Sequence, residues 1–186
     1  MKVSKETSAR HRDDLLRAAS RLFREKGFDK VGIAEIAAAA GLTHGAFYTH
    51  FASKEELCAE AITQTSLRTA EVLNAKADWQ GYVEAYLAPR HVRDRGNGCP
   101  FAALSGDVPR ESEAIRAAFS QALERSIDTL ARKAGDKNGA SARDRAIVSL
   151  ATMVGAVVLA RTAVEPALRD EILAAVKSRL LGTSRT

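Results

Sequence analysis

The sequence predicts an all-helical fold, on three observations. Of the 186 residues, 46% are hydrophobic but only 5% are aromatic and four are prolines, a composition that favours helix over strand. Apolar residues recur at helical spacing along most of the chain. Glycines and capping residues stand where those stretches begin and end. We expect a small N-terminal domain over residues 1–56 and a larger helical domain over 57–186.

The first predicted helix runs from Arg10 to Lys26. Leu15, Ala19 and Leu22 share one face of it, and several arginines occupy the opposite face. Gly27 follows directly, and glycine is the usual residue after a helix end. The stretch is therefore an amphipathic helix with one apolar and one basic side.

Two short helices follow the first one. One starts at Ile33 and ends at Gly41, and Thr43 is a suitable N-cap for the next, His44 to His50. Two short helices joined by a tight glycine-containing turn form a helix-turn-helix pattern.

The remaining elements are longer helices. Ser53 and Glu56 are spaced for a capping box at the start of a helix that continues to about Asn74. Loops are expected at 95–98 and 135–141. The other helices are predicted over residues 78–94, 100–106, 110–134, 142–164 and 166–182.

The second helix of a helix-turn-helix places its first residues in the DNA major groove. Here it begins THGAFYTH, where His44 is the first side chain beyond the cap and Gly45 permits close approach of the backbone. Phe47 and Phe51 are four residues apart and are expected to face the core. The candidate DNA-binding residues share this helix and its basic continuation: Thr43, His44, Gly45, Tyr48, Thr49, His50 and Lys54.

The stretch GFDKVGIAEIAAAAGLTHGAFYTHFASKEELCAEAI resembles the DNA-binding domain of the TetR family of bacterial transcriptional regulators. The likeness begins at LLRAASRLFREKGF and continues through Leu57. It implies that residues matching Tyr48, His50 and Lys54 contact phosphates and that the others lie nearest the bases. It also implies that the C-terminal helices form an effector-binding and dimerisation domain.

One position departs from the family pattern, and the charge of the domain is modest. Gly32 stands where the family usually has a capping threonine or serine that touches a phosphate, so a side-chain contact is not expected there. The whole chain has a net charge of +5. Residues 1–56 hold ten Lys or Arg and eight Asp or Glu, a net charge of +2, which argues against non-specific, nucleoid-type DNA binding.

The larger domain offers candidates for a dimer contact and a pocket. The helix around Val148–Ala160 is apolar on more than one face, and we expect the last two helices to join two copies as a homodimer. A mainly apolar or electrophilic effector of small size is expected, with ordinary core packing as the alternative for each side chain. The pocket candidates are Trp79, Tyr82, Tyr86, Cys99, Phe101, Leu104, Phe119, Leu123, Met153 and Val157.

Cys99, in NGCPFAALSGDVPR, has two interpretations. A helix N-terminus and nearby arginines would lower the thiol pKa and make it an electrophile sensor. Alternatively, it is a small residue that packs a helix start.

The sequence favours a non-enzymatic, cytoplasmic regulator, most simply a repressor that binds a palindromic operator. The histidines and cysteines do not cluster at metal-ligand spacing, no cofactor motif is present, and no apolar run of about 20 residues is expected to span a bilayer. The N-terminus has no apolar signal core. Two alternatives remain: a helical adaptor that binds only protein, and a thiol-dependent enzyme that uses Cys99.

Overall fold

The computed structural model describes residues 4–75, 78–134 and 141–182, and every regular element in these ranges is helical. This confirms the predicted fold class. A short 3₁₀ turn, Val108–Arg110, precedes α8. The helices are α1 Lys5–Lys26, α2 Ile33–Ala39, α3 His44–Phe47, α4 Lys54–Ala75, α5 Trp79–Tyr86, α6 Pro89–Arg93, α7 Pro100–Leu104, α8 Glu113–Ala134, α9 Ala142–Thr162 and α10 Pro166–Leu181.

Helix α1 starts earlier than predicted and stops where predicted. Its N-cap is Ser4, whose hydroxyl accepts a hydrogen bond from the backbone of Thr7 at 3.1 Å, so the helix begins at Lys5 rather than Arg10. The sequence argument relied on apolar spacing, which begins later than the cap. Gly27 ends the helix with φ of 85°, a conformation that side chains rarely adopt.

The helix-turn-helix forms as predicted, although its second helix is shorter. Helix α3 ends at Phe47 rather than His50, because Tyr48 already occupies the C-cap. Phe47 and Phe51 are both buried in the core of the domain, as expected. Because these two rings pack into the core, the opposite side of α3 faces solvent.

The predicted capping box at the start of α4 is present in a shifted form. The backbone N–H of Glu56 donates to the Ser53 hydroxyl at 3.0 Å. The Glu56 carboxylate accepts from the backbone of Ala52 at 2.7 Å instead of from Ser53. Both bonds give a partner to backbone N–H groups that have no acceptor within the first turn of the helix.

The prediction of a single helix over residues 78–94 was wrong. Asp78 caps α5, which ends at Tyr86, and α6 begins at Pro89. Proline lacks the backbone N–H that would continue the earlier helix, but it fits the first turn of a new one. The resulting bend returns the chain toward α1.

The boundaries of the later helices also shift. Helix α8 begins at Glu113 instead of Arg110, because residues 108–110 form the 3₁₀ turn. The predicted loop 135–141 lies almost entirely outside the described residues. Gly182, with φ of 68°, closes α10 where the sequence predicted an end.

Helix α4 connects the two parts of the molecule. It packs against α1 in the first part and against α8 in the second, while α9 lies between α8 and α10. The buried apolar residues form one continuous core through both parts. A rearrangement in the larger domain can therefore reach α1 through packed helices.

Helix α9 corrects one expectation about membranes. It is 21 residues long with a hydropathy of 1.5, and by length and composition it could cross a bilayer. Within the described part of the chain it is packed between α8 and α10, and Met153 and Val157 on it are fully buried. Part of the high hydropathy of α9 therefore comes from side chains that face the protein core.

Candidate functional site

The predicted DNA-binding residues around α3 lie together on the protein surface. Five of these residues are exposed to solvent: Thr43, His44, Gly45, Tyr48 and Thr49. Tyr48 is 54% exposed although it is a large aromatic residue. The buried Phe47 side of α3 anchors this surface on the core.

Local hydrogen bonds hold the surface in place. The Thr43 hydroxyl accepts from the backbone of Ala46 at 3.3 Å, and the Thr49 hydroxyl donates to the Ala46 carbonyl at 2.7 Å. The rings of His44 and Tyr48 meet edge to face, with centroids 5.4 Å apart. Tyr48 is exposed, and its hydroxyl makes no hydrogen bond with another described residue that would compete with a phosphate.

His50 and Lys54 lie at the edge of the same surface and make more protein contacts. The Lys54 ammonium donates to the Phe28 carbonyl at 2.6 Å, which leaves two of its three donors for other acceptors. Burial lowers the pKa of His50, and the neighbouring His11 and Arg12 lower it further. At neutral pH His50 is therefore an uncharged hydrogen-bonding group.

Gly32 forms the N-cap of α2 without a side-chain hydrogen bond. A Cβ atom at this position would meet nothing within 4 Å. The space for a capping hydroxyl is present, and only the side chain is missing.

A cavity of about 880 Å³ lies between α1, α4 and the α5–α7 segment. Four of the predicted pocket residues line it: Tyr82, Tyr86, Cys99 and Phe101. Two further candidates do not line the cavity. Leu123 is 37% exposed elsewhere, and the indole of Trp79 donates a hydrogen bond to the Leu180 carbonyl at 3.3 Å. The remaining candidates are buried in the core and do not line this cavity: Leu104, Phe119, Met153 and Val157.

Cys99 lies in the cavity wall and is held by His91. The Cys99 backbone N–H donates to His91 Nε2 at 2.8 Å, and His91 Nδ1 lies 2.6 Å from the Tyr86 carbonyl oxygen. Nδ1 must therefore carry the proton. Burial also lowers the pKa of His91, which favours this neutral form.

Of the two interpretations of Cys99, the one that required a lowered thiol pKa was wrong. Burial raises the pKa of this thiol, and smaller opposing contributions come from Tyr86 and from backbone groups at the start of α7. Cys58 is also buried, and burial raises its pKa to about 12. Neither thiol has the low pKa of a reactive cysteine.

Sequence reasoning missed the contacts that join the first domain to the cavity. Arg24 of α1 donates from Nε to the Gly96 carbonyl at 2.7 Å, and its Nη2 donates to the same oxygen. The hydroxyls of Ser20 and Thr65 are 2.5 Å apart and connect α1 to α4. The basic face of α1, already visible in the sequence, was the signal for this contact.

A second surface feature is the apolar outer side of α9 and the start of α10. Large apolar side chains there are exposed although their helix neighbours are buried: Ile147, Val148, Val158, Leu159, Val164 and Leu168. Isolated exposed apolar residues are common, but a set on adjoining helices indicates a contact surface.

The described residues contain no group of three or more histidine, cysteine or acidic side chains that could hold a metal ion.

Two family models match this chain. The first, described as "Bacterial regulatory proteins, tetR family", matches residues 15–61. The second, described as "Transcriptional regulator LmrA/YxaF-like, C-terminal domain", matches residues 80–170. One model therefore covers the helix-turn-helix and the other covers most of the larger domain.

Individual proteins are similar to the chain in part or in fold. LmrA of Bacillus subtilis, an HTH-type transcriptional regulator, is 27% identical over 122 residues, which are 61% of this chain and 65% of LmrA. YerO of the same organism is 44% identical over 50 residues, 27% of this chain and 17% of YerO. The chain thus matches less than two thirds of the length of these curated relatives. A TetR transcriptional regulator from Legionella pneumophila shares the fold over all of both chains, with a TM-score of 0.77 at 20% identity.

Proposed function

Because the chain belongs to the TetR family of bacterial transcriptional regulators, we propose that it is a repressor that binds a palindromic DNA operator as a homodimer and is released by a small effector. The observation that carries the DNA-binding part is the exposed, polar side of α3 above a buried aromatic anchor. The effector part is supported by the cavity that adjoins α1.

The first domain, residues 1–56, is proposed to bind DNA. His44 and Gly45 lead the exposed side of α3, where a recognition helix meets base edges. Thr43, Tyr48 and Lys54 offer donors to the flanking phosphates, and His50 and Thr49 extend the same surface. In this arrangement some contacts recognise bases, and the others position the protein on the DNA phosphate backbone.

The outer side of α9 and α10 is proposed as the dimer contact. Val148 is 63% exposed and Leu159 is 57% exposed, so this side loses a large apolar area when a second copy covers it. A two-fold dimer would present two α3 helices to successive major-groove faces of a palindrome.

Effector release is proposed to act through α1. A ligand in the cavity contacts Arg24 or the 95–98 loop, and either contact changes how α1 is held by Gly96. The two DNA-binding domains would then be spaced differently, and the population that fits the operator would fall. The raised pKa of Cys99 favours reversible binding over reaction with an electrophile.

A footprint on DNA upstream of the chain's own gene tests the DNA-binding proposal. Protection of a palindromic sequence is expected, and Tyr48→Phe should weaken it about tenfold by removing one phosphate contact. Tyr86→Phe, the same change in the cavity, is the matched control and should bind DNA normally. Absence of any protected sequence would favour the protein-only adaptor, while thiol-dependent turnover lost in Cys99→Ser would favour the enzyme.

A further inference from the structure

The cavity next to α1 has a markedly basic lining. Five arginines line it, compared with two acidic residues, Asp14 and Asp94. The arginines are Arg17, Arg21, Arg24, Arg68 and Arg90. An apolar effector would gain nothing from so many cations.

The two acidic residues do not neutralise the arginines deepest in the contact between the domains. Asp14 pairs with Arg17 at 2.5 Å, and the neighbouring Asp13 pairs with Arg17 and, at 2.6 Å, with Arg68. Asp94 accepts hydrogen bonds from the backbone and side chain of Asn97. Neither carboxylate lies within ion-pair distance of Arg24 among the described residues.

Arg24 is a largely buried cation that bonds only neutral groups in the described part of the chain. Its three nitrogens donate to the Gly96 carbonyl and to the Ser20 hydroxyl. Burial lowers the pKa of Arg24, but guanidinium keeps its proton at any physiological pH. Arg21, one turn away, has only a weak ion pair with Glu25 at 3.7 Å. Asp94 and Glu25 act on Arg24 only from beyond ion-pair distance. A mostly buried charge without a direct ion pair is costly, so an anion placed against it would be stabilised.

The opposite wall supplies apolar surface and a hydroxyl donor. Tyr82, Phe101 and Leu150 line the cavity, and all three are buried. The Tyr86 hydroxyl is buried and faces the Cys99 thiol, a weak partner, with no oxygen or nitrogen partner among the described residues. Burial raises the pKa of Tyr86 well above its ordinary value, so it stays protonated and able to donate.

We propose that this cavity binds an amphipathic organic anion, whose acidic group lies against Arg21 and Arg24 and whose aromatic or acyl part packs on Tyr82 and Phe101. This rests on the proposed function in treating the cavity as the effector site. It changes the expected effector from a mainly apolar molecule to an organic acid. It also explains how ligand binding would be coupled to DNA binding. The anion would compete with the Gly96 carbonyl for Arg24, which holds α1 on the larger domain.

Two fluorescent dyes that differ mainly by one acidic group test the proposal. 8-Anilinonaphthalene-1-sulfonate is the anion, and N-phenyl-1-naphthylamine is the same ring system without the sulfonate. Titration into the full-length chain should show that Arg24→Gln weakens binding of the anionic dye by about tenfold or more, while binding of the neutral dye changes little. Arg116→Gln, an exposed arginine that does not line the cavity, is the matched control and should leave both affinities unchanged.

A second variant separates ligand binding from folding, since Arg24→Gln also removes the bond to Gly96. Arg21→Gln leaves that bond in place and should still weaken the anionic dye selectively. Equal loss of both dyes, unchanged binding of the anionic dye in Arg21→Gln, or no binding of either dye to the unmodified chain would overturn the proposal.

Operator binding, measured on the same samples, distinguishes this inference from the proposed function. A chain that binds its operator but shows no arginine-dependent preference for the anionic dye contradicts the anion site alone. A chain that prefers the anionic dye through Arg21 and Arg24 but protects no DNA contradicts the regulatory function and leaves the anion site supported.

Discussion

At the scale of single residues, His91 and Tyr86 decide how the cavity wall is held. His91 accepts from the Cys99 backbone through Nε2 and faces the Tyr86 carbonyl through Nδ1, an arrangement that only the neutral imidazole satisfies. Tyr86 lies beside it, with ring centroids 4.6 Å apart. His91 thus carries a pH-sensitive contact, and Tyr86 carries a buried hydroxyl whose partner is only the Cys99 thiol.

Acidification should destabilise the fold through His91. Its pKa in the folded chain is lowered below the ordinary value of 6.5, so above that value both states are neutral and the group contributes no difference. As the pH falls below 6.5, the unfolded chain takes up the proton first, and stability falls. Urea unfolding at pH 5 and pH 7.5 should show this decrease, and His91→Gln should show a smaller one. An equal pH dependence in both proteins would contradict this role of His91.

Tyr86→Phe should raise stability in the absence of ligand. The change keeps the ring and removes a buried hydroxyl whose partner is only the weakly bonding Cys99 thiol, so a gain of up to about 1 kcal/mol in the free energy of unfolding is expected. Tyr82→Phe is the control, because the Tyr82 hydroxyl is not among the buried unpartnered groups. Chemical denaturation measures both, and a loss of stability in Tyr86→Phe would show that the hydroxyl has a stronger partner in solution.

At the scale of elements, capping residues set the helix starts and proline sets the break between α5 and α6. Thr43 and Ser141 each accept a hydrogen bond from a backbone N–H three residues later, at 3.3 Å and 3.0 Å. Thr43 starts the proposed recognition helix, and Ser141 starts α9 in the larger domain. The two caps have the same structural role but different surroundings.

Removing each cap should therefore separate stability from DNA binding. Thr43→Ala and Ser141→Ala should each lower the free energy of unfolding by about 1 kcal/mol, because each leaves a helix N–H without its acceptor. Only Thr43→Ala should also weaken operator binding at a temperature where both variants are folded. Denaturation and anisotropy titrations measure the two effects, and equal DNA affinities would remove Thr43 from the proposed contacts.

At the scale of the whole molecule, one continuous core joins the N-terminal domain to the larger domain, and one apolar surface is left exposed. Arg24, Ser20 and the packing of α1 on α4 make the domains mechanically dependent on each other. In the proposed homodimer, the exposed side of α9 and α10 would supply the two-fold symmetry that a palindromic site requires.

A charge placed on that surface should produce monomers. Leu159→Glu should reduce the dimer fraction in sedimentation experiments and weaken operator binding with it, because the carboxylate would lose its water at the interface. Leu67→Glu is a matched control at an exposed leucine of α4, 49% exposed compared with 57% for Leu159. A dimer that survives Leu159→Glu unchanged would place the contact elsewhere.

Much of the fold was predictable because local rules act there without competition. Gly27 and Gly182 both mark helix ends, and the Phe47–Phe51 pair is buried as its spacing indicated. The prediction of one helix over residues 78–94 was wrong because it followed the helical spacing of apolar residues, whereas Pro89 interrupts the helix locally. The start of α1 at Ser4 was missed because a cap precedes the apolar pattern that revealed the helix.

The sequence by itself determined the helical class, the helix-turn-helix with its exposed polar residues, and the family. Each of these depends on neighbours within a few turns of helix. Only the tertiary structure decided the character of the cavity, because the arginines of α1 and the aromatic side chains of α5 and α7 meet across long stretches of chain. The same is true of Cys99, whose pKa is set by burial rather than by the helix start beside it. The burial of a side chain and the charges placed near it depend on how distant segments pack, and local sequence does not contain that information.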